Sequence, residues 1–252
     1  ETYEGILLPR PETLPQDTIT LKLSNGYNIG IKKKNIKTTA VTEKQKTKKE
    51  TKAKPQKKNS KLKTIAILHT GGTIASKVDY KTGAVIAKFT PEDMLKQMPE
   101  LKGIVNVRSE MISNLQSESM RFGHYNLIAK AIQKEIKGKI DGIVLTQGTD
   151  TLHYTAAALS FIFENMNIPL LIVGAQRSSD RGSGDAFMNL ICAAKFIAQT
   201  DFSGVAVCMH GTSNDDACTI VPGTKARKMH TSRRDAFRAI NIIPFAEVPY
   251  KG

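Results

Sequence analysis

Residues 64–76 read TIAILHTGGTIAS, and this stretch decides the fold. Thr64–His69 is a short apolar run of strand length, and Thr70-Gly71-Gly72-Thr73 follows it directly. Uninterrupted β-branched runs of this length are typical of strands that are covered on both faces. Three similar runs occur further along the chain, at residues 142–146, 169–174 and 204–209.

Helical patterns lie between these runs. Apolar residues recur at three- to four-residue spacing in three segments: Leu127/Ala131 with Ile128/Ile132/Ile136, then Leu152/Ala156/Leu159/Phe163, then Ala186/Leu190/Ala194/Ile197. Strands that alternate with helices usually pair in parallel. The sequence therefore predicts an α/β fold, a mostly parallel sheet with helices on both faces. The alternation stops past about residue 222.

A different pattern precedes this region. Thr18–Leu23 and Tyr27–Ile31 alternate apolar and polar residues around Asn25-Gly26, which is a strong hairpin signal. With a further strand at Tyr3–Leu8, residues 1–41 are predicted to form a small β-barrel-like module. A module this short is marginally stable alone, so we expect it to pack on another structure.

The net charge of +14 is concentrated between these two regions. Residues 32–63 hold 14 Lys against two Glu, so the net charge of the other residues of the chain is close to zero. Such a composition buries too little apolar surface to offset its ordering entropy. We predict a flexible Lys-rich linker at 42–62 and an α/β domain at 63–252. The linker is either a solvated spacer or a tether for a polyanion such as tRNA, whose binding would weaken steeply with salt.

Composition also excludes several classes of protein. There is no run of about 18 apolar residues and no secretion signal in residues 1–20, so we expect a cytoplasmic protein without membrane contact. Three cysteines without a CxxC motif, and histidines without metal-ligand spacing, predict neither a disulfide framework nor a metal site. The usual nucleotide loops, GxxxxGK[ST] and GxGxxG, are absent.

Two segments rich in Thr and Gly follow predicted strands. The first is Thr70–Ser76, and the second is Thr146–Thr151, which opens the helix from Leu152. Ligands of open α/β sheets bind beyond the carboxyl ends of the strands. A tight turn with a helix cap explains one such segment well. Two in equivalent positions favour a binding or catalytic site.

The pair TGGTIAS and QGTDT, about 75 residues apart, resembles the signature of the bacterial-type asparaginases and glutaminases, which are amidohydrolases with threonine nucleophiles. The resemblance covers about 62–245 and includes Val173–Arg177 and Ala226–Thr231. It implies the asparaginase-like N-terminal domain fold.

Three further segments resemble one subgroup of this family, the D subunits of archaeal-type glutamyl-tRNA(Gln) amidotransferases. They are Tyr3-Glu4-Gly5, the module around Asn25–Gly30 and the stretch Gln176–Arg181. That family implies a partner E subunit that binds tRNA. Glutamine hydrolysed at D supplies the ammonia with which E converts Glu-tRNA(Gln) into Gln-tRNA(Gln). It further implies a homodimer of D within a heterotetramer, no cofactor in D, and ATP and Mg²⁺ at the partner.

The resemblance also implies catalytic roles. A threonine hydroxyl is a weak nucleophile, so an amidase built on it needs a base and a clamp for the substrate. Thr73 would attack the side-chain amide carbon. Thr149, Lys228 and Asp150 match the second catalytic group of the family, in which a desolvated lysine eases proton removal and Thr149 activates water. Asp150 would also hold the α-ammonium of the substrate. Which threonine attacks first stays open.

Substrate-binding roles are implied for Ser117, Glu118 and Tyr80. Glu118 replaces the Gln common in asparaginases, so it would hold the ammonium firmly but repel the α-carboxylate. Tyr80 is either part of a mobile lid or a surface-loop tyrosine. Lys228 also fits a solvated basic face. Ser178–Arg181 is either a capped helix start or a partner-facing segment.

Family members normally continue into a smaller C-terminal α/β domain that contributes active-site groups. That domain is expected to be missing here, with little hydrolysis by this polypeptide alone. The favoured function is the glutaminase subunit of a tRNA-dependent amidotransferase. A stand-alone L-asparaginase and a non-catalytic RNA-binding protein on an amidase scaffold are the alternatives. The N-terminal module disfavours the former alternative, and the intact set of catalytic residues disfavours the latter.

Overall fold

The computed structural model of the chain describes residues 2–8, 17–23, 28–40, 59–71, 76–78, 85–87, 98–177 and 183–251. The chain divides into two compact units. One comprises residues 1–54 and 77–86, and the other comprises residues 55–76 and 87–252.

The first unit contains a three-stranded antiparallel sheet. Its strands are β1 (Ile6–Leu8), β2 (Thr18–Lys22) and β3 (Asn28–Lys32), in that order. The ladder pairs Ile19 with Ile31 and Leu21 with Ile29, so the alternating apolar residues lie opposite one another. The predicted small β module at the N-terminus is thereby confirmed as an antiparallel sheet. The predicted turn at Asn25-Gly26 lies outside the described residues.

A seven-stranded sheet organises the second unit. In chain order the remaining strands are β4 (Thr64–His69), β5 (Ser76–Val78), β6 (Val85–Ala87), β7 (Asn106–Met111), β8 (Gly142–Thr146), β9 (Pro169–Val173), β10 (Gly204–His210), β11 (Ala217–Pro222), β12 (Ala226–Lys228), β13 (Phe237–Ala239) and β14 (Ala246–Pro249). The seven-stranded sheet has the order β14-β11-β10-β9-β8-β4-β7, and β12–β13 form a smaller sheet in the same unit. The pair β5–β6 forms a two-stranded sheet that falls mostly within the first unit. The five strands from β10 to β7 in the large sheet are parallel, whereas β11 and β14 add an antiparallel edge.

Helices cover both faces of this sheet: α1 (Leu101–Ile104), α2 (Phe122–Lys137), α3 (Leu152–Ile162) and α4 (Ala186–Gln199). Alternate residues of a strand point to opposite faces. Accordingly, Ile65 and Ile67 of β4 pack in a core with α1 and α4, and Ala66 and Leu68 pack in a core with α2 and α3. This confirms the predicted α/β class. Across the described residues, no helix combines the length and apolarity needed to cross a bilayer.

The predicted linker at 42–62 is described only from Asn59 onward. There the side chain of Asn106, at the start of β7, accepts a hydrogen bond from Asn59 N (2.9 Å) and donates to the carbonyls of Asn59 (2.8 Å) and Leu62 (2.9 Å). The chain that enters β4 is therefore fixed to the neighbouring strand.

Candidate active site

Four parallel strands end at the same level of the sheet. His69, the last residue of β4, pairs with Met111 of β7 and with Thr146 of β8, and Thr146 pairs with Val173 of β9. The segments that follow these strands therefore begin side by side at one edge, where ligands of open α/β sheets bind.

Lys228 connects two residues of the segment after β8. Its ammonium nitrogen lies 2.8 Å from Thr149 Oγ1 and 2.8 Å from Asp150 Oδ1. The lysine side chain is only 9% exposed, whereas the Asp150 side chain is 64% exposed. Lys228 is the last residue of β12, so the short β12–β13 sheet brings a residue 78 positions away in sequence into contact with Asp150. The alternative of a solvated Lys228 is therefore wrong.

Asp150 is held from a second side by Ser117. Ser117 Oγ donates to Asp150 Oδ2 over 3.1 Å, and Thr151 Oγ1 donates to the Ser117 carbonyl over 2.8 Å. The hydrogen bond from Lys228 is the largest influence that lowers the pKa of Asp150, and the bond from Ser117 acts in the same direction. Asp150 is therefore an oriented carboxylate with one face open to solvent.

The Thr149 hydroxyl has a second partner, which fixes its direction. It donates a 2.7 Å hydrogen bond to Gln176 Oε1. A carbonyl oxygen only accepts, so the Thr149 proton points toward Gln176 and a lone pair faces Lys228. Lys228 is then the donor toward both Thr149 and Asp150, as expected of an ammonium group.

The end of β9 approaches Thr149 closely because residue 174 is a glycine. A Cβ at Gly174 would lie 2.7 Å from Thr149 Cγ2. Beyond it, the fully buried carboxylate of Asp185 accepts hydrogen bonds from the backbone N–H groups of Gln176 (3.0 Å) and Arg177 (2.8 Å). The residue before α4 thus holds the segment that carries Gln176 through two backbone hydrogen bonds.

The segment after β4 enters the same edge. Thr70 N and Oγ1 both donate to the Thr146 carbonyl, at 3.0 and 2.9 Å, and Leu115 N donates to the Thr70 carbonyl over 2.8 Å. Gly71 has a φ of +116°, and a Cβ there would lie 2.4 Å from the Leu115 carbonyl oxygen. Thr73 and Tyr80 lie outside the described residues, as do residues 178–182, so their predicted roles remain predictions.

Two buried histidines flank the site without taking part in its hydrogen bonds. His69 bonds the hydroxyls of Thr146 (2.8 Å) and Ser109 (3.0 Å), and burial lowers its pKa to about 4. For His153, in the first turn of α3, burial is the main cause of a lowered pKa, and the positive charges of Arg227 and Lys228 add to it. Both rings are therefore neutral near pH 7, whereas Lys228 carries the ammonium group that contacts Thr149.

The described part of the chain thus brings together Thr149, Asp150, Lys228 and Ser117 from the predicted set. Glu118 is exposed, and its carbonyl accepts a hydrogen bond from the Arg121 side chain. No group of three or more His, Cys, Asp or Glu residues suited to a metal ion occurs in the described ranges. Gln176 and Asp185 have no role among the residues predicted from sequence, although Gln176 stands in a segment that directly follows a predicted strand.

Two family models match the chain, one over the N-terminal β module and one over the α/β region. The family described as asparaginase, N-terminal, matches residues 64–252, and the family described as GatD N-terminal domain matches residues 1–41. The first match covers most of the chain and includes every described site residue.

Individual relatives agree with these matches. The D subunit of the glutamyl-tRNA(Gln) amidotransferase of Pyrococcus furiosus is 50% identical over 98% of this chain and 56% of its own length, and that of Methanococcus maripaludis is 48% identical over 98% and 58%. The chain thus spans little more than half the length of these relatives. Among solved structures, the thermostable L-asparaginase of Thermococcus kodakarensis is similar, with a TM-score of 0.63 and 33% identity over 73% of this chain and 53% of that one. A probable cytoplasmic L-asparaginase of Campylobacter jejuni gives a TM-score of 0.60 and 30% identity over 70% and 51%.

Proposed function

Because this chain belongs to the asparaginase family, whose N-terminal domain its residues 64–252 match, we propose that it forms the catalytic edge of an amidohydrolase that releases ammonia from glutamine. The observation that supports this proposal most is the contact of Lys228 with both Thr149 and Asp150. An exposed carboxylate next to a hydroxyl and a nearly buried ammonium suits a substrate with an α-ammonium group and a side-chain amide.

The reaction would proceed through a threonine ester. The Thr73 hydroxyl oxygen bonds to the amide carbon of glutamine, the carbon–nitrogen bond breaks, and the proton lost by the hydroxyl leaves with ammonia. Water then attacks the ester, the bond to Thr73 breaks, and glutamate departs as the hydroxyl regains its proton. Thr149 and Lys228 would deliver and remove these protons, while Asp150 and Ser117 orient the substrate; Glu118 and Tyr80 would complete its binding.

We further propose that the ammonia is used on tRNA. The match of residues 1–41 to the GatD N-terminal domain and the names of the closely similar relatives support this assignment. The partner would be an E subunit that binds Glu-tRNA(Gln) and carries the ATP and Mg²⁺ chemistry. The chain would act as a homodimer within a heterotetramer, in the cytoplasm, and without a cofactor of its own.

A stand-alone L-asparaginase is the second candidate. It is favoured by the similarity to two solved structures described as L-asparaginases. The N-terminal match at 1–41 favours the amidotransferase, because it adds a unit outside the asparaginase match.

An ammonia-release assay on the full-length protein tests the proposal. Glutamine and asparagine are supplied in turn, with and without the E subunit and charged tRNA. We expect glutamine turnover to rise only when both partners are present. Thr149→Val removes the hydroxyl at nearly constant volume and should lower ammonia release by about 10²-fold or more. Thr219→Val, on β11, is the matched control and should leave it unchanged.

The two candidates give different results in this assay. Asparagine turnover that equals or exceeds glutamine turnover and ignores tRNA would favour the stand-alone asparaginase. Full ammonia release by Thr149→Val would remove Thr149 from the reaction and refute the proposed site.

A further inference from the structure

We propose that Gln176 is a positioning residue that sets the direction of the Thr149 hydroxyl and ties it to the loop between β12 and β13. This inference rests on the proposed function, since it assigns Gln176 a part in the same reaction. It starts from the hydrogen-bond chain Lys228–Thr149–Gln176, with distances of 2.8 and 2.7 Å.

The surrounding carbonyl groups fix which way the Gln176 amide faces. Its Nε2 lies 2.8 Å from the Arg233 carbonyl oxygen, and 3.4 and 3.5 Å from those of His230 and Thr231. Carbonyl oxygens accept hydrogen bonds only, so the amide nitrogen must face them and Oε1 must face Thr149. The opposite orientation would set oxygen against three carbonyls.

Hydrogen bonds also hold the backbone at and before Gln176. Asp185 accepts the backbone N–H of Gln176, and Asn189 Nδ2 donates to the carbonyl of Gly174 over 3.0 Å. Both acceptor and donor side chains are fully buried at the start of α4. Gln176 therefore links three parts of the second unit: the segment after β8, the start of α4 and the loop from 229 to 236.

This arrangement has a chemical consequence for Thr149. As long as Gln176 accepts the hydroxyl proton, a lone pair of Thr149 Oγ1 stays directed at Lys228, and the two groups are held at hydrogen-bond distance. An apolar residue at 176 would remove the acceptor of the Thr149 proton, so the O–H bond could rotate toward other acceptors while Lys228 still donates to the oxygen. Fewer molecules would then have the reactive orientation, so turnover would fall while substrate binding at Asp150 and Ser117 persists.

Two substitutions in the full-length protein test this role. Gln176→Met keeps the volume and loses every hydrogen bond of the amide, and we expect kcat for ammonia release to fall at least about tenfold, with KM changed less than about threefold. Gln176→Glu places a carboxylate beside the oxygen that Lys228 also contacts. The proposed removal of a proton by Lys228 requires the neutral amine, and a negative charge within roughly 4–6 Å favours the ammonium form, so the rising limb of the kcat–pH profile should move up by about one pH unit. Gln133→Glu, on the exposed face of α2, makes the same chemical change away from the site and should move neither kcat nor the limb.

The outcomes separate this inference from the proposed function. A wild-type kcat for Gln176→Met, or a Gln176→Glu profile that superimposes on those of the wild type and Gln133→Glu, would overturn the positioning role if Thr149→Val is still inactive. Activity of Thr149→Val would instead refute the proposed function. Circular dichroism monitors folding, and loss of folded protein in both Gln176 variants would also count against the inference, because the role claimed concerns turnover and not the fold.

Discussion

Replacing Lys228 with methionine should lower glutamine hydrolysis by about 10³-fold and leave the protein folded. Lys228 is the cation that contacts Thr149 and Asp150, and general acid–base groups contribute about 10²–10⁴-fold to a rate. Stability should change little, since methionine keeps most of the aliphatic stem of Lys228, whose side chain is 9% exposed, and Asp150, at 64% exposed, stays solvated without its partner. Steady-state assays of ammonia release, paired with urea unfolding, measure both effects.

Lys225→Met is the matched control for this experiment. Lys225 is exposed in the turn before β12, and its backbone groups make the contacts of that turn. Its substitution removes the same charge from the same surface and should leave kcat and KM at wild-type values. Equal losses in the two variants would mean that the basic charge of the segment matters, and not the contacts of Lys228.

Gly71→Ala should lower the free energy of unfolding by about 3 kcal/mol. The φ of +116° is unfavourable for a residue with a side chain, and the new methyl group would meet the Leu115 backbone at 2.4–2.5 Å. Because Leu115 N donates to the Thr70 carbonyl, relieving this clash separates the ends of β4 and β7. Hydrolysis should fall with stability, since the segment that leads to Thr73 begins here. Urea denaturation followed by circular dichroism measures the loss.

The control for this substitution is Gly123→Ala. Gly123 lies in the first turn of α2, and a Cβ there would have no neighbour within 4 Å. Alanine is a better helix former than glycine by up to about 1 kcal/mol, so this variant should be as stable as the wild type or slightly more so. Similar stabilities for the two variants would contradict the conformational role assigned to Gly71.

The central strands could be predicted from sequence because each is an apolar run covered on both faces. β4 and β8 have the predicted bounds, while β9 ends one residue earlier and β10 one residue later than predicted. The edge strand β7, with the sequence NVRSEM, gave no such signal, since only its first residue is buried and it carries charges. β14, at the other edge, has one buried residue, Val248, and was missed for the same reason.

The apolar patterns predicted the positions of the helices correctly. They included more residues than the face that is buried against the sheet. In α2, Ile128 and Ile132 are buried as predicted, whereas Leu127 and Ile136 are 43% and 39% exposed. In the sequence, the apolar residues that flank the buried face of the helix cannot be told from those within it. Only the packing of α2 against the sheet distinguishes them.

Part of the candidate site could be predicted because motifs at strand ends converge by topology. Thr149 and Asp150 follow β8, a strand that its apolar run predicts, whereas Ser117 and Lys228 were implied only by the family resemblance. The partners of Gln176 could not be predicted in this way. These partners are backbone carbonyls of the loop at 230–233. The direction of each carbonyl depends on the backbone path between β12 and β13, which the amino-acid types of the loop do not specify.

A covalent trap tests most directly the central claim that a threonine at this edge of the sheet attacks a glutamine side chain. The full-length protein is treated with a diazoketone analogue of glutamine, digested, and analysed by mass spectrometry. The account predicts one adduct, on Thr73, formed at a greatly reduced rate in Lys228→Met. An adduct on Thr149 would refute the role proposed for Thr73, and an adduct outside the two Thr-containing segments, at 70–76 and 146–151, would contradict the central claim.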